Sequence, residues 1–212
     1  MRGKRKLGVF LIALGFALIL AAGGLLWYNQ AQSLHAETAS ARVLAQLAAQ
    51  IAVHHDEPVG QTPALEPLPE PTLQDTASPA QTDLSDPVTR VDGVDYIGAI
   101  SFPSLSLELP VMAQWSYEGL RTAPGRYSGS AAGENLVVAG HNYASQLGAL
   151  NKLSLDDPVL FTDVNGKVYQ YAVLDIEILQ PSDISNMTAG EYPLTVFTCT
   201  YGGRTRLTIR CG

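Results

Sequence analysis

Between Leu7 and Tyr28 the chain runs 22 residues without a charged side chain. No other feature constrains its organisation as strongly. About 20 apolar helical residues are needed to cross a bilayer core of about 30 Å. Arg2, Lys4, Arg5 and Lys6 precede the run, and Trp27 and Tyr28 close it, where amphipathic rings favour a membrane interface. The expectation is a cytoplasmic basic tip and transmembrane helix over residues 1–28, with everything after Tyr28 outside the cell membrane. A secretory signal peptide is the competing reading. Ala21-Ala22-Gly23 offers a small-residue cleavage site, but Leu25-Leu26-Trp27 carries the apolar run past it.

Beyond the run the chain divides again. Residues 29–56 are rich in Ala, Gln and Leu and carry no Pro or Gly. Leu34, Val43, Leu44, Leu47 and Ile51 fall near helical spacing, so this stretch is expected to be a helical stalk. His35, His54 and His55 lie in it without an acidic or cysteine cluster at ligand spacing, and read as solvated stalk residues. Residues 57–90 hold seven prolines and several acids, with Arg90 the only base. Such a segment buries too little apolar surface to offset the entropy of ordering it, and its prolines keep it extended. It reads as a linker.

Residues 91–212 remain for a folded domain of about ordinary size. Tyr96–Phe102 alternates as a strand does, and Pro103-Ser104 ends it. Leu105, Leu107, Leu109 and Val111 alternate with polar or turn residues. Leu136–Ala139 is a short apolar run between glycines. Val159–Thr162 and Val168–Leu179 flank Asn165-Gly166, a strong hairpin signal. Leu194–Cys199 and Arg206–Cys211 flank Gly202-Gly203, and Gln146–Leu153 is the best helix candidate. Many short strands with turn signals and little helix point to an all-β, closed or nearly closed barrel.

Composition narrows the function classes. The formal net charge of -7 argues against a general nucleic-acid binder, which needs a basic face for phosphates. Two cysteines cannot form a disulfide framework or a zinc site built on paired CxxC motifs.

Three residues carry the chemistry. Cys199 ends an apolar strand beside a flexible loop, where a thiolate nucleophile could reach a cleft; by itself, a cysteine there is more often a small buried hydrophobe. His141 is the only histidine of the folded domain and follows the run Leu136–Ala139 through Gly140, which again presents a side chain at a sheet rim. Arg206 opens the last strand, on one face with Thr208 and Arg210, while Leu207, Ile209 and Cys211 face the other way. A fixed guanidinium beside a cysteine stabilises a thiolate or the oxyanion formed when it attacks a carbonyl. Arg204 is its rival. Cys211, facing opposite to Arg206, reads as a core residue.

In this order the residues resemble the sortase family. Tyr96-Ile97-Gly98-Ala99-Ile100-Ser101-Phe102-Pro103 is similar to the family's opening strand, and Leu107-Glu108-Leu109-Pro110-Val111 to the next. Gly133–His141 resembles the segment ending in the catalytic histidine. Thr195-Val196-Phe197-Thr198-Cys199 resembles the TLxTC signature, with Val196 where Leu is usual, and Arg206–Arg210 the terminal strand. The resemblance covers residues 91–212.

It implies an eight-stranded sortase barrel with one or two short helices, and a cysteine transpeptidase of the Gram-positive cell surface. Cys199 would attack a C-terminal LPXTG-like sorting signal of a secreted protein and form a thioester. An amine of a cell-wall precursor or a pilin Lys would resolve it. His141 would move the protons and Arg206 would hold the developing oxyanion. The resemblance places part of the signal pocket in Asp183–Tyr192, so Asp183, Tyr192 and Thr198 are candidate substrate contacts. It implies no cofactor and no metal. Two alternatives stay open: a Cys-His hydrolase using the same residues, and a non-enzymatic membrane-anchored adaptor with Cys199 buried.

Overall fold

The computed structural model describes residues 2–55 and 86–212. Helix α1 (Arg2–His55) is followed by strands β1 (Thr89–Val91), β2 (Val94–Phe102), β3 (Leu107–Met112), β4 (Gly125–Ser128) and β5 (Leu136–Gly140). Then come β6 (Pro158–Asp163), β7 (Val168–Leu179), the four-residue helix α2 (Ile184–Met187), β8 (Leu194–Cys199) and β9 (Arg206–Cys211). The linker expected over residues 57–90 lies, up to residue 85, outside the described residues. The side chains of His35, His54 and His55 also lie outside them.

Strand order is β2-β3-β4-β5-β8-β9-β7-β6, and β6 pairs back onto β2, so eight strands close a barrel. The short β1 is a ninth strand, paired antiparallel to the start of β2. Closure depends on Gly98. Its φ of +152° sits at an irregularity in the β2–β3 register, and a Cβ there would collide with the Thr162 carbonyl of β6. The interior is apolar, with Ile97, Ile100, Phe102, Leu109, Phe161, Val196 and Ile209 among its buried side chains. Within Gln146–Leu153, expected as a helix, Leu147–Lys152 forms a 3-10 segment whose Leu147 and Leu150 enter that core.

The folded region begins earlier than the boundary expected at Val91. Thr89–Val91 pairs with Val94–Tyr96, and Asp86 is buried before it. Asp86 Oδ1 accepts the Ala131 N–H at 2.8 Å and the Ala132 N–H at 3.3 Å, and its other oxygen lies 3.6 Å from Arg126. Burial raises this carboxyl above its ordinary range, while the two N–H bonds and Arg126 pull it down. Three residues of β1 are too few to show a period, so the linker's composition masked them.

The stretch expected as a helical stalk is helical up to His55, continuous with the uncharged run in one helix, and it lies against the barrel. Ala36, Ser40, Val43 and Leu47 are buried at spacings of four, three and four residues, one helical stripe. Val43 and Leu47 join Val91, Tyr96, Met112, Ala123 and Val164 in a second apolar cluster. Ser40 Oγ donates to the Thr122 carbonyl at 2.9 Å, and Thr89 Oγ1 donates to Gln50 Oε1 at 2.9 Å. Burying an aliphatic side chain of this size contributes about 1.5–3 kcal/mol. Among the described residues no helix is long and apolar enough to cross a membrane.

Candidate active site

Strands β5 and β8 run parallel, side by side, in the register Leu136↔Leu194 through Gly140↔Thr198. All five residues of β5 and the first five of β8 are buried. Their inner faces meet the core, while Val137, Ala139 and Phe197 pack outward under Met187 of α2. Burial on both faces explains the near-continuous apolar runs of these two strands. Because they run the same way, they end at the same rim. His141 follows the last residue of β5, and Cys199 is the last residue of β8.

Two hydrogen bonds tie the rim. Thr198 Oγ1 donates to the Gly140 carbonyl at 2.9 Å, and Asn142 Nδ2 donates to the Thr200 carbonyl at 3.3 Å. Gly140 has no room for a side chain, since a Cβ would meet Leu147. Antiparallel β9 then places Arg206 directly across from Cys199. The connection between them is a tight loop in which Gly202 and Gly203 take φ of +84° and +73°. Thr200 and Thr205 close its neck through their hydroxyls at 2.7 Å. The Arg206 guanidinium donates to the Gly203 and Thr205 carbonyls, both at 3.2 Å. Arg204 stays in the loop and is exposed.

The His141 ring stacks on Tyr143 with centroids 4.2 Å apart and planes 2° apart. Its Nδ1 is buried and without a hydrogen-bond partner. Tyr143, rather than a carboxylate, therefore sets the plane of the imidazole.

Cys199 and Arg206 head an apolar groove of about 200 Å³. One wall is aromatic. Trp115 stacks on Tyr127 at 5.3 Å and meets Tyr117 edge-on at 5.3 Å, and Tyr127 meets Phe197 edge-on at 5.3 Å. The opposite wall is Pro181, Ile184 and Met187, and the floor runs through Ala139, Gly140 and Thr198. Cys199 also borders a second cavity lined by Asn142, Asn151, Ile178, Tyr201 and Leu207.

The structure thus gathers His141, Cys199 and Arg206 at one end of the barrel, at the ends of three adjacent strands. The three candidate substrate contacts fare differently. Thr198 lines the groove, with its hydroxyl committed to Gly140. Asp183 precedes α2, accepts from Asn186 Nδ2 at 2.8 Å and does not line the groove. Tyr192 lies under the Arg210 guanidinium, 5.2 Å from ring centroid to carbon, and is also outside it. The Asp183–Tyr192 segment does border the groove, but through Ile184 and Met187. The one sign of the aromatic wall in the sequence is Trp115 and Tyr117 standing in a polar loop. Cys211 is wholly buried in the barrel core, and burial pushes its thiol up to about 12. Among the described residues no group of three or more His, Cys, Asp or Glu could hold a metal ion.

A family model, the sortase domain, matches residues 100–211, just over half of the chain. The chain belongs to the sortase family. Among solved structures it is similar to sortase A from Corynebacterium diphtheriae, with 26% identity, a TM-score of 0.51, and 56% of this chain and 60% of that one covered. A lid mutant of that sortase A matches with 25% identity, a TM-score of 0.50, and 55% and 68% covered. Sortase C1 from Streptococcus agalactiae matches with 27% identity, a TM-score of 0.48, and 57% and 69% covered. The match to sortase A thus spans about three fifths of that protein's length. No curated protein matches the chain.

Proposed function

We propose that the protein is a membrane-anchored sortase transpeptidase that cleaves an LPXTG-like C-terminal sorting signal and transfers the released acyl group to an amine. The observation that carries this reading is the shared rim of β5 and β8. It brings His141 and Cys199 to one end of the barrel, with Arg206 across from Cys199 at the head of an apolar groove.

The groove takes the apolar part of the signal between its aromatic wall and Ile184 and Met187. The Cys199 thiolate attacks the threonine carbonyl carbon, and the C–O π pair moves onto oxygen. Arg206 swings from the Gly203 and Thr205 carbonyls to that oxyanion. Collapse breaks the Thr–Gly C–N bond, and imidazolium His141 gives its proton to the leaving amine. A thioester remains on Cys199. The acceptor amine, of a cell-wall precursor or a pilin Lys, enters by the second cavity and loses a proton to His141. Its attack forms the new amide and frees the thiolate.

The anchor belongs to the same proposal. What supports it is the sequence, in which the 22 uncharged residues of Leu7–Tyr28 stand between a basic cluster and the interfacial pair Trp27-Tyr28; the described residues of the structure by themselves supply no helix long and apolar enough to cross. Extraction of the protein from cells with carbonate and then with detergent tests it. Release without detergent, with a mature start near Gly23, overturns it.

The transfer is tested by mass spectrometry of the protein mixed with a library of sorting peptides. An adduct on Cys199 that an added amine converts to a new amide is the expected result. An adduct lost only to water supports the hydrolase. A native Cys199 that no alkylating agent reaches supports the adaptor.

A further inference from the structure

Arg210 is 3% exposed, which is unusual for a guanidinium, and it lies outside the catalytic rim. It sits on β9 across from Thr195 of β8, on the outward side of the barrel. Its guanidinium makes four hydrogen bonds. Nε donates to Glu177 of β7 at 2.9 Å, and Nη1 donates to Thr195 Oγ1 at 3.2 Å. The other two go to backbone: Nη1 to the Met187 carbonyl at 3.3 Å, and Nη2 to the Asn186 carbonyl at 2.6 Å. The Tyr192 ring covers the guanidinium carbon.

Asn186 and Met187 are the last residues of α2. Helix carbonyls at a C-terminus lack partners inside the helix and carry partial negative charge, so a cation there is doubly favourable. A four-residue helix has almost no stability of its own. Its place comes from the packing of Met187 on Val137, Ala139 and Phe197 and from what holds its end. The same α2 presents Ile184 and Met187 to the groove that Cys199 heads. A buried ion is costly, and an apolar side chain of similar volume would stabilise the fold as well or better. What the guanidinium adds is direction: a rigid fork fixed by Glu177 and Thr195 at one side, aimed at the two last carbonyls of α2 on the other.

We propose that Arg210 is a positioning residue that preforms one wall of the sorting-signal groove by pinning the end of α2 to the barrel. This rests on the sorting-signal reading of the groove and adds to it which residue keeps the groove open before substrate arrives. Arg210 does not touch the reacting atoms. Its loss weakens signal binding more than the chemical step.

The test uses the full chain in detergent, with Arg210→Met and Arg210→Lys. Amide exchange over Ile184–Thr188 should rise at least about tenfold in Arg210→Met. KM for a fluorogenic Leu-Pro-Glu-Thr-Gly peptide should rise at least about tenfold with kcat within about twofold. A variant that is merely less stable would not show that split. Alkylation of Cys199 by iodoacetamide should keep its wild-type rate. Arg210→Lys, which keeps the charge but loses the fork, should fall between, and it carries the test if Arg210→Met does not fold. Exchange and KM both within about twofold of wild type overturn the proposal, as does a fall in kcat at unchanged KM. If the wild type does not process the peptide, it is the sorting-signal reading that fails, and the exchange measurement alone decides whether Arg210 holds the wall.

Discussion

The β8–β9 hairpin has a cysteine at each end, and the two ends behave as different materials. At the loop end Cys199 is half-buried, faces Arg206, and borders two cavities. At the far end Cys211 faces Leu194, is wholly buried among aliphatic side chains, and has its thiol pushed up to about 12. The two are the only cysteines of the chain, on paired strands, and differ in nothing but place. Reactivity of a thiol follows from thiolate access, so the loop end supplies a nucleophile and the far end a core atom group.

The sharpest break of this contrast is Cys199→Ala. It should abolish the acyl-enzyme seen by mass spectrometry while circular dichroism stays native, because a rim thiol contributes little packing. An acyl-enzyme persisting in Cys199→Ala moves the nucleophile elsewhere. Next is its cross-strand partner. Losing a preorganised oxyanion donor costs about 2.7–4 kcal/mol, or about 10²–10³ in rate; Arg206 must first leave the Gly203 and Thr205 carbonyls, so Arg206→Ala should lower turnover by about 10², the lower end of that range. Arg206→Lys should recover part of it, since an ammonium keeps charge without the planar fork. Arg204→Ala should cost less than about tenfold. If Arg204→Ala is the crippled variant, the roles of the two arginines are exchanged.

Smaller effects belong to the far end. Cys211→Ala should keep transfer activity and lose about 1 kcal/mol of stability at neutral pH. Its pH dependence has a defined sign. The unfolded thiol gives up its proton near its ordinary value of 9.0, whereas the folded one keeps it to about 12. The unfolded state is therefore favoured as pH rises through that window. Denaturant titrations should show wild type losing about 2 kcal/mol more than Cys211→Ala between pH 8 and 10.5. Equal losses would mean that Cys211 ionises freely in the fold. Last, native iodoacetamide labelling should mark Cys199 alone, with Cys211 labelled only after unfolding.

Much of this hairpin was legible. Alternation along Arg206–Cys211 placed Cys211 opposite Arg206, and the strands around Asn165-Gly166 and at Leu107–Met112 follow local rules of period and turn. β4 has four residues and a register shift against β5, too little for any pattern to show. Arg210 was placed on the right face, but its burial comes from α2, a segment more than 20 residues away in sequence. For the same reason Asp183 and Tyr192 fall outside the groove, which that segment lines through Ile184 and Met187. Trp115 and Tyr117 are near neighbours in one loop, but the stacking of Trp115 on Tyr127 of β4 joins a loop to a strand and comes from the fold rather than from any short window of sequence.

The docking of α1 turns length into phase. The helix is unbroken from Arg2 to His55, and among the described residues the first buried side chain on it is Ala36, eight residues past Tyr28. At about 1.5 Å and about 100° per residue, that spacing fixes both a height of about 12 Å and an angle between the two halves of the helix. Inserting one alanine after Asn29 would turn the barrel, and its catalytic rim, by more than a quarter of a circle around the helix axis for a negligible gain in height. Inserting seven, about two turns, would lift the rim by about 10 Å and return it nearly to its original bearing. The rim is thus aimed like a compass needle by the number of residues beneath it.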